Sequence, residues 1–165
     1  MLPSSFPVDK TKVHPMTPRV NKLDLTSLHD LDDVLELMYY GWLAMTREAD
    51  VRLARRGLSR PHHRILFVIA RRDGLSVREL TEALGISKQA LHGPLKALLD
   101  GGMVLARRSL LEHRQKSLHL TAKGRRVEAD ASQAERDAMG RAFGKAGKGA
   151  REAWCAVMRA LADDE

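Results

Sequence analysis

The chain has 165 residues, with 28 Lys plus Arg against 21 Asp plus Glu and a formal net charge of +7. That length suits one compact domain, or a small domain with helical arms, and a hydrophobic content of 44% with only 4% aromatics makes a core of Leu, Val, Ala and Met. A single cysteine excludes an intramolecular disulfide framework and a cysteine-based zinc finger, and the longest apolar run, Ile65 to Ala70, falls far short of the ~20 residues of a bilayer-spanning helix.

The opening MLPSSFPVDK lacks a basic start followed by an apolar stretch, so neither a cleaved leader nor membrane association is expected. Residues 1–24 carry Pro3, Pro7, Pro15 and Pro18 and read as an extended arm. Ser27 with Asp30 resembles a helix-starting pair. Beyond it Leu28, Leu31, Leu35, Met38, Trp42, Met45 and Ala49 recur at alternating steps of three and four, a heptad-like seam on a helix running to about Arg56. Pro61 can open the next helix, whose apolar residues are Ile65, Leu66, Val68, Ile69 and Ala70, with Gly74 ending it.

Ser76 and Glu79 then have the spacing of a capping box, with Val77, Leu80 and Leu84 on one face and Gly85 to terminate the helix. Ile86 is expected to be a buried turn residue. Ser87 caps a further helix that turns Ala90, Leu91, Leu95, Leu98 and Leu99 inward and stops at Gly101-Gly102. The period then becomes alternating: Met103, Leu105 and Arg107 form one strand and Ser117 to Leu120 its return, with the basic stretch Arg108 to Lys116 between them. Thr121 caps a helix expected to reach about Gly140. Gly144, Gly147 and Gly149 mark a looser connection, and Ala150, Trp154, Val157 and Leu161 form a last stripe.

Charge is unevenly placed. Residues 58–126 hold 14 basic and 5 acidic residues, a net of +9, while the remainder is slightly acidic. Such a block is the footprint of a polyanion-binding face. Two short helices joined at Gly85 and followed by a hairpin make a winged helix-turn-helix. Its second helix would present Ser87, Lys88, Gln89, His92 and Lys96 to a major groove, where Gln89 can read adenine and Lys88 can reach guanine or phosphate. The hairpin offers Arg107, Arg108, Arg114 and Lys116 to phosphates and the minor groove. Gly93-Pro94 lies inside the reading helix, where proline costs about 3 kcal/mol. Either the helix kinks there, or its first two turns are set apart as a reading unit.

The segment RELTEALGISKQALHGPLKALLDGGMVLARRSLLEHRQKSLHLTAKGRRV resembles the core of the MarR family of bacterial transcriptional regulators. Members commonly show Asp-x-Arg in the wing, Leu-Thr ending its return strand, and a glycine opening the next helix. The matching residues are Glu112-His113-Arg114, Leu120-Thr121 and Gly124. Glu112 replaces the usual aspartate, and Leu110 and Leu111 are unusually apolar for a wing. By motif the likeness spans about Pro61 to Val127, and by layout the whole chain.

The resemblance implies a mainly α fold with a small β-wing, in which a winged helix-turn-helix is flanked by N- and C-terminal dimerisation helices. The corresponding segments are an arm over 1–24, a dimerisation helix over 25–57, the DNA-binding domain over 58–127, and C-terminal dimerisation helices over 128–165. It also implies a cytoplasmic, nucleoid-associated homodimer that binds a pseudo-palindromic duplex operator, acting as a repressor released by a small aromatic effector. Tyr39, Tyr40, Trp42, His62 and Phe67 are candidate lining for that effector, against the plainer reading of ordinary core.

No phosphate-cradling glycine loop, Gly-x-Ser-x-Gly turn or metal-spaced carboxylate set occurs, so neither an enzyme nor a cofactor is expected. His62 and His63 are adjacent on a helix and point apart. A metal site drawing on His29, His62, His63 or His113 across a dimer is the weaker reading. Cys155, beside Trp154, reads as a buried small hydrophobe rather than a redox sensor. The rival to DNA binding is a winged helix that docks proteins and never reads DNA.

Overall fold

The computed structural model describes residues 31–108 and 116–163. The chain divides into two units between Tyr40 and Gly41, each taken by itself below. Among the described residues the order is α1 (Asp32–Ala54), α2 (Arg60–Arg71), α3 (Val77–Leu84), α4 (Lys88–Asp100), β1 (Val104–Arg108), β2 (Lys116–Leu120), α5 (Ala122–Ala146) and α6 (Ala150–Asp163). This is the mainly helical architecture with a small antiparallel hairpin that the periodicities indicate. No described helix is long and apolar enough to cross a membrane. The arm over 1–24, Ser27, Leu28 and Asp30 lie outside the described residues.

Along α1 the seam differs between the two units. In the first unit Leu31, Leu35 and Met38 are all exposed, Leu31 by 78%. In the second, Trp42 is exposed while Thr46, Ala49 and Leu53 are buried. The Thr46 hydroxyl donates to the Trp42 carbonyl at 2.9 Å, which satisfies it within the helix. Arg52 and Arg56 both pair with Asp130 of α5 at 2.9 Å, and Arg60 at the start of α2 pairs with Asp50.

Helix α2 opens with Pro61 in its first turn and buries His63, Ile65, Leu66 and Ile69. It packs against α3, α4, α5 and β2. The capping box of α3 forms as its spacing indicates: the Glu79 amide donates to Ser76 Oγ at 3.2 Å, and the Ser76 amide to the Glu79 carboxylate at 2.8 Å. Gly85 takes φ +62°, the left-handed conformation that lets the chain turn into α4. Ile86 departs from expectation, with 39% of its surface exposed. Its amide closes the turn on Thr81, but the space beneath is already filled by Leu80 and Leu91.

Ser87 caps α4 by accepting the Ala90 amide at 3.2 Å. Leu91, Leu95 and Leu98 make the buried stripe and Leu99 is half-buried, whereas Ala90 sits at the surface, about 100° around the helix from Leu91. The helix runs unbroken through Pro94. With Ala90 exposed, water can serve the carbonyl that proline leaves without an amide. The β1 strand starts one residue later than the alternation suggests. Val104 pairs with Leu120 and Ala106 with Leu118, so the core receives Val104, Leu118 and Leu120, and Leu105 faces out. Met103 is also buried, because the Gly101-Gly102 turn delivers two successive side chains inward before the pleat begins.

Thr121 Oγ1 accepts the Gly124 amide at 3.0 Å and donates to the Gly102 carbonyl at 2.8 Å, tying the start of α5 to the hairpin base. The helix does not stop near Gly140: Gly140 and Gly144 are both helical, and the break falls at Gly147 and Gly149, which have positive φ. An interior glycine costs only about 1 kcal/mol, too little to halt a helix held by packing on one side. No residue of α6 is buried, and Trp154, Val157 and Leu161 are exposed.

Gly124 is where α5 crosses Met103. A Cβ there would stand 2.1 Å from the Met103 carbonyl oxygen. Gly124→Ala should therefore destabilise the protein by about 1–3 kcal/mol, read as a drop in denaturation midpoint with an unchanged slope against denaturant.

Candidate nucleic-acid interface

Lys88, Gln89, His92 and Lys96 are all exposed on α4, opposite Leu91, Leu95 and Leu98. Spacings of three and four place Gln89, His92 and Lys96 on one helix face, with Lys88 and the cap Ser87 at its N-terminal end. Lys96 pairs with Asp100 one turn on. Helix α3 braces this face from below through Leu80, which has no exposed surface. On the hairpin, Arg107 and Lys116 are exposed. Arg107 pairs with Ser117 in the ladder, and Arg108 with Lys116. The Arg108 side chain, Arg114, Glu112, Leu110 and Leu111 lie outside the described residues.

The hairpin is moored in a way that periodicity did not disclose. The Gly74 amide donates to the Leu118 carbonyl at 3.0 Å, the Leu118 amide to the Leu75 carbonyl at 2.8 Å, and Ser76 bridges Ser117. The segment between α2 and α3 thus adds a third rung to the sheet beside β2. Asp73 in the same segment reaches His119 on β2 at 3.0 Å. The only visible trace in the sequence is that Ser117 and His119, two apart on a strand, must share a face.

The aromatic candidates make different contacts within each unit. Tyr39 and Tyr40, in the first unit, meet edge to face at 5.5 Å. In the second unit the Arg60 guanidinium lies 4.1 Å over the Trp42 ring, and His62 Nδ1 accepts the Ser59 amide at 3.1 Å, capping its own helix. Burial pushes the His62 imidazole below its ordinary value, against the Ser59 hydrogen bond. Phe67 lines an open groove of about 490 Å³ that also takes in Arg71 of α2, Met139 and Phe143 of α5, and Arg151 of α6. The Arg71 guanidinium stands 3.2 Å over the Phe67 ring and 3.2 Å from Glu128. Sequence reasoning missed Arg71, Met139 and Phe143, since only the folded crossing of α2 over α5 brings them together.

Beside the groove His63 is 4% exposed, with Nε2 3.1 Å from Ser132 Oγ and Nδ1 3.6 Å from Glu135. Ser132 in turn donates to Glu128 at 2.7 Å. Burial pushes the His63 imidazole down, and Arg60 and Arg71 add to this, while Glu135 and Glu128 pull the other way. His62 and His63 do point apart, one to its own helix cap and the other toward α5. Among the described residues no three His, Cys, Asp or Glu side chains gather as a metal would need, and His29 and His113 lie outside them. Cys155 is a half-buried free thiol.

Residues 56–115 match a family model described as the MarR family. The HTH-type transcriptional regulator PetP of Rhodobacter capsulatus is 35% identical over 129 residues, covering 78% of either chain. The chain belongs to the MarR family. It is a transcriptional regulator of that family, and the fold agrees. A MarR transcriptional regulator of Methanosarcina mazei superposes with a TM-score of 0.70 at 19% identity, covering 84% of this chain and 92% of that one. A MarR-family protein of Mycobacterium tuberculosis, in complex with p-aminosalicylic acid, superposes with a TM-score of 0.58 at 25% identity, covering 78% and 98%. The family match begins just before α2 and ends just before β2, so it contains the braced helix pair and the first strand of the hairpin.

His63 binds its proton more readily in the unfolded chain than in the folded one, because burial depresses its basicity. Stability is therefore complete above the ordinary histidine range and declines as pH falls through it, toward the depressed folded value. In parallel melts from about pH 8 to about pH 5, the wild-type melting temperature should fall more steeply than that of His63→Gln. Parallel curves would show that the imidazole does not carry this dependence.

Proposed function

We propose that this MarR-family regulator is a homodimeric repressor that reads a pseudo-palindromic duplex through α4 and the hairpin and lets go when a small aromatic acid enters the groove between α2, α5 and α6. The observation that carries this is the exposed face of Ser87, Lys88, Gln89, His92 and Lys96, held out by a capped and braced turn inside a block of net charge +9. On an α-helix that fits a groove about 12 Å wide, Gln89 reads an adenine edge and Lys88 a guanine or a phosphate. Arg107, Arg108, Arg114 and Lys116 take phosphates and the minor groove, fixing register.

A second copy of the chain covers the apolar surface that one copy leaves open, with the helices over 25–57 and 128–165 as its dimerisation elements. In favour are Trp154, Val157 and Leu161 on α6 in the second unit, and Leu31, Leu35 and Met38 in the first, all exposed. Two copies set their reading helices into successive major grooves, with half-sites about 10 bp apart.

The groove has the chemistry for an aromatic anion: Phe67, Met139 and Phe143 for the ring, and Arg71, Arg136 and Arg151 for the acid. The complex of the M. tuberculosis relative with p-aminosalicylic acid supports a ligand of that class. The groove joins α2, on which the reading unit is packed, to α5 and α6. An occupant that prefers one arrangement of α2 against α5 shifts the population toward it. Release from DNA follows when that arrangement misplaces the two reading helices.

Selection of bound sequences from a random duplex pool tests the whole reading, since a dyad with half-sites about one helical turn apart reports the dimer. Affinity for the selected duplex should fall steeply with salt through counterion release. A salt-insensitive, weak interaction would favour the protein-docking alternative. Gln89→Ala should cost about 1–3 kcal/mol on the selected duplex and little on random sequence, and equal losses on both would remove it from base reading. Arg114→Ala should weaken all duplexes and lower the salt slope by about one, whereas an unchanged slope places that arginine away from the phosphates.

A further inference from the structure

Asp73, His119 and Ser117 form a chain of hydrogen bonds at the root of the hairpin. Asp73 Oδ2 stands 3.0 Å from His119 Nδ1, and His119 Nε2 stands 3.0 Å from Ser117 Oγ. Ser117 Oγ donates in turn to the Arg107 carbonyl at 3.3 Å. Arg107 and Ser117 face each other in the ladder, and Leu105 faces His119. A path of three hydrogen bonds therefore leads from the connection between α2 and α3 to the backbone of a hairpin cation.

Counting protons selects the form of the imidazole that completes the path. The Asp73 carboxylate only accepts, so Nδ1 must carry hydrogen. Ser117 has a single hydroxyl proton, and once that goes to Arg107 its oxygen can only accept, so Nε2 must carry hydrogen too. All three bonds are made at once by the imidazolium alone. A neutral ring protonated on Nδ1 leaves Ser117 to choose between Nε2 and Arg107, and one link is lost.

We propose that His119 is a positioning residue for DNA engagement: bound to Asp73 as the imidazolium, it holds the Arg107 strand through Ser117, so that duplex affinity rises when the ring gains its second proton. This rests on the reading of the hairpin as a DNA-contacting wing. Two effects act in the same direction. A strand ordered beforehand loses less freedom on binding, and the added positive charge offsets Asp73 close to where a polyanion would lie.

Other charged groups stand around the path. Arg107 and Lys116 belong to the hairpin, while Arg125 and Glu128 of α5 line the hollow beside Asp73. Glu128 is engaged by Arg71 and Ser132, and Glu79 of α3 by the Ser76 cap. His92 on the reading face is a second imidazole and must be removed from the comparison.

The test is fluorescence anisotropy with the selected duplex at constant ionic strength, from about pH 5 to about pH 8, using full-length H92Q, H92Q/H119Q and H92Q/D73N. Binding by H92Q should tighten about three- to tenfold toward low pH. Both double variants should lose that gain while keeping the far-ultraviolet dichroism and melting behaviour of H92Q at high pH. An equal gain in H92Q/H119Q would overturn the proposal. Nitrogen NMR of the imidazoles separates this from the wider reading, because it needs no DNA. Two protonated nitrogens on His119 at low pH, with the Nδ1 proton lost from hydrogen bonding in D73N, support the path even if no duplex binds. A His119 ring insensitive to D73N would remove the path whether or not DNA binds.

Discussion

Leu66 and Ile69 of α2 have no exposed surface, and the elements that close over this helix serve different ends. It packs against α3, α4 and β2, which carry the candidate interface, and against α5, which leads on to α6. Apolar burial is non-directional, so it supplies cohesion without choosing one arrangement of these pieces over its near neighbours. The choice falls to polar contacts at the edges of the stripe. Arg52 and Arg56 fix the end of α1 to Asp130, the Asp73–His119 pair fixes the hairpin, and His63 with Ser132 and Glu135 pins α2 to α5.

The His63 cluster puts a titratable ring inside the helix crossing, where an apolar side chain of similar size would avoid the desolvation. Its partners satisfy it: among the described residues no buried side-chain nitrogen or oxygen lacks a hydrogen bond. The same carboxylate, Glu128, serves Ser132 and Arg71, and Arg71 covers Phe67. The wall of the groove and the pin between the helices are thus one connected set of side chains.

Much of this was legible from residue order because helix ends carry local chemistry. Ser76, Gly85, Ser87 and Thr121 each do what their type and position indicate, and they bound the two short helices and the hairpin from which a winged helix is read. Ile86 and the phase of β1 were misread for a shared reason: which side chain turns inward after a tight turn is set by what already occupies the interior, and here Leu80, Leu91 and Met103 occupy it. The extent of α5 was underestimated because glycine propensity is weak beside packing. The groove and the mooring of the hairpin join residues some forty or more positions apart, such as Phe67 with Phe143 and Asp73 with His119, and no periodicity reports such meetings.

Helix α5 has 25 residues, which at the usual rise makes a rod about 37 Å long. Its first turn grips Gly102 and Met103 at the hairpin base, its middle carries Ser132 and Glu135, and its later turns form a wall of the groove. One rigid element thus carries both the hairpin base and a wall of the groove, and α2 lies against it between the two.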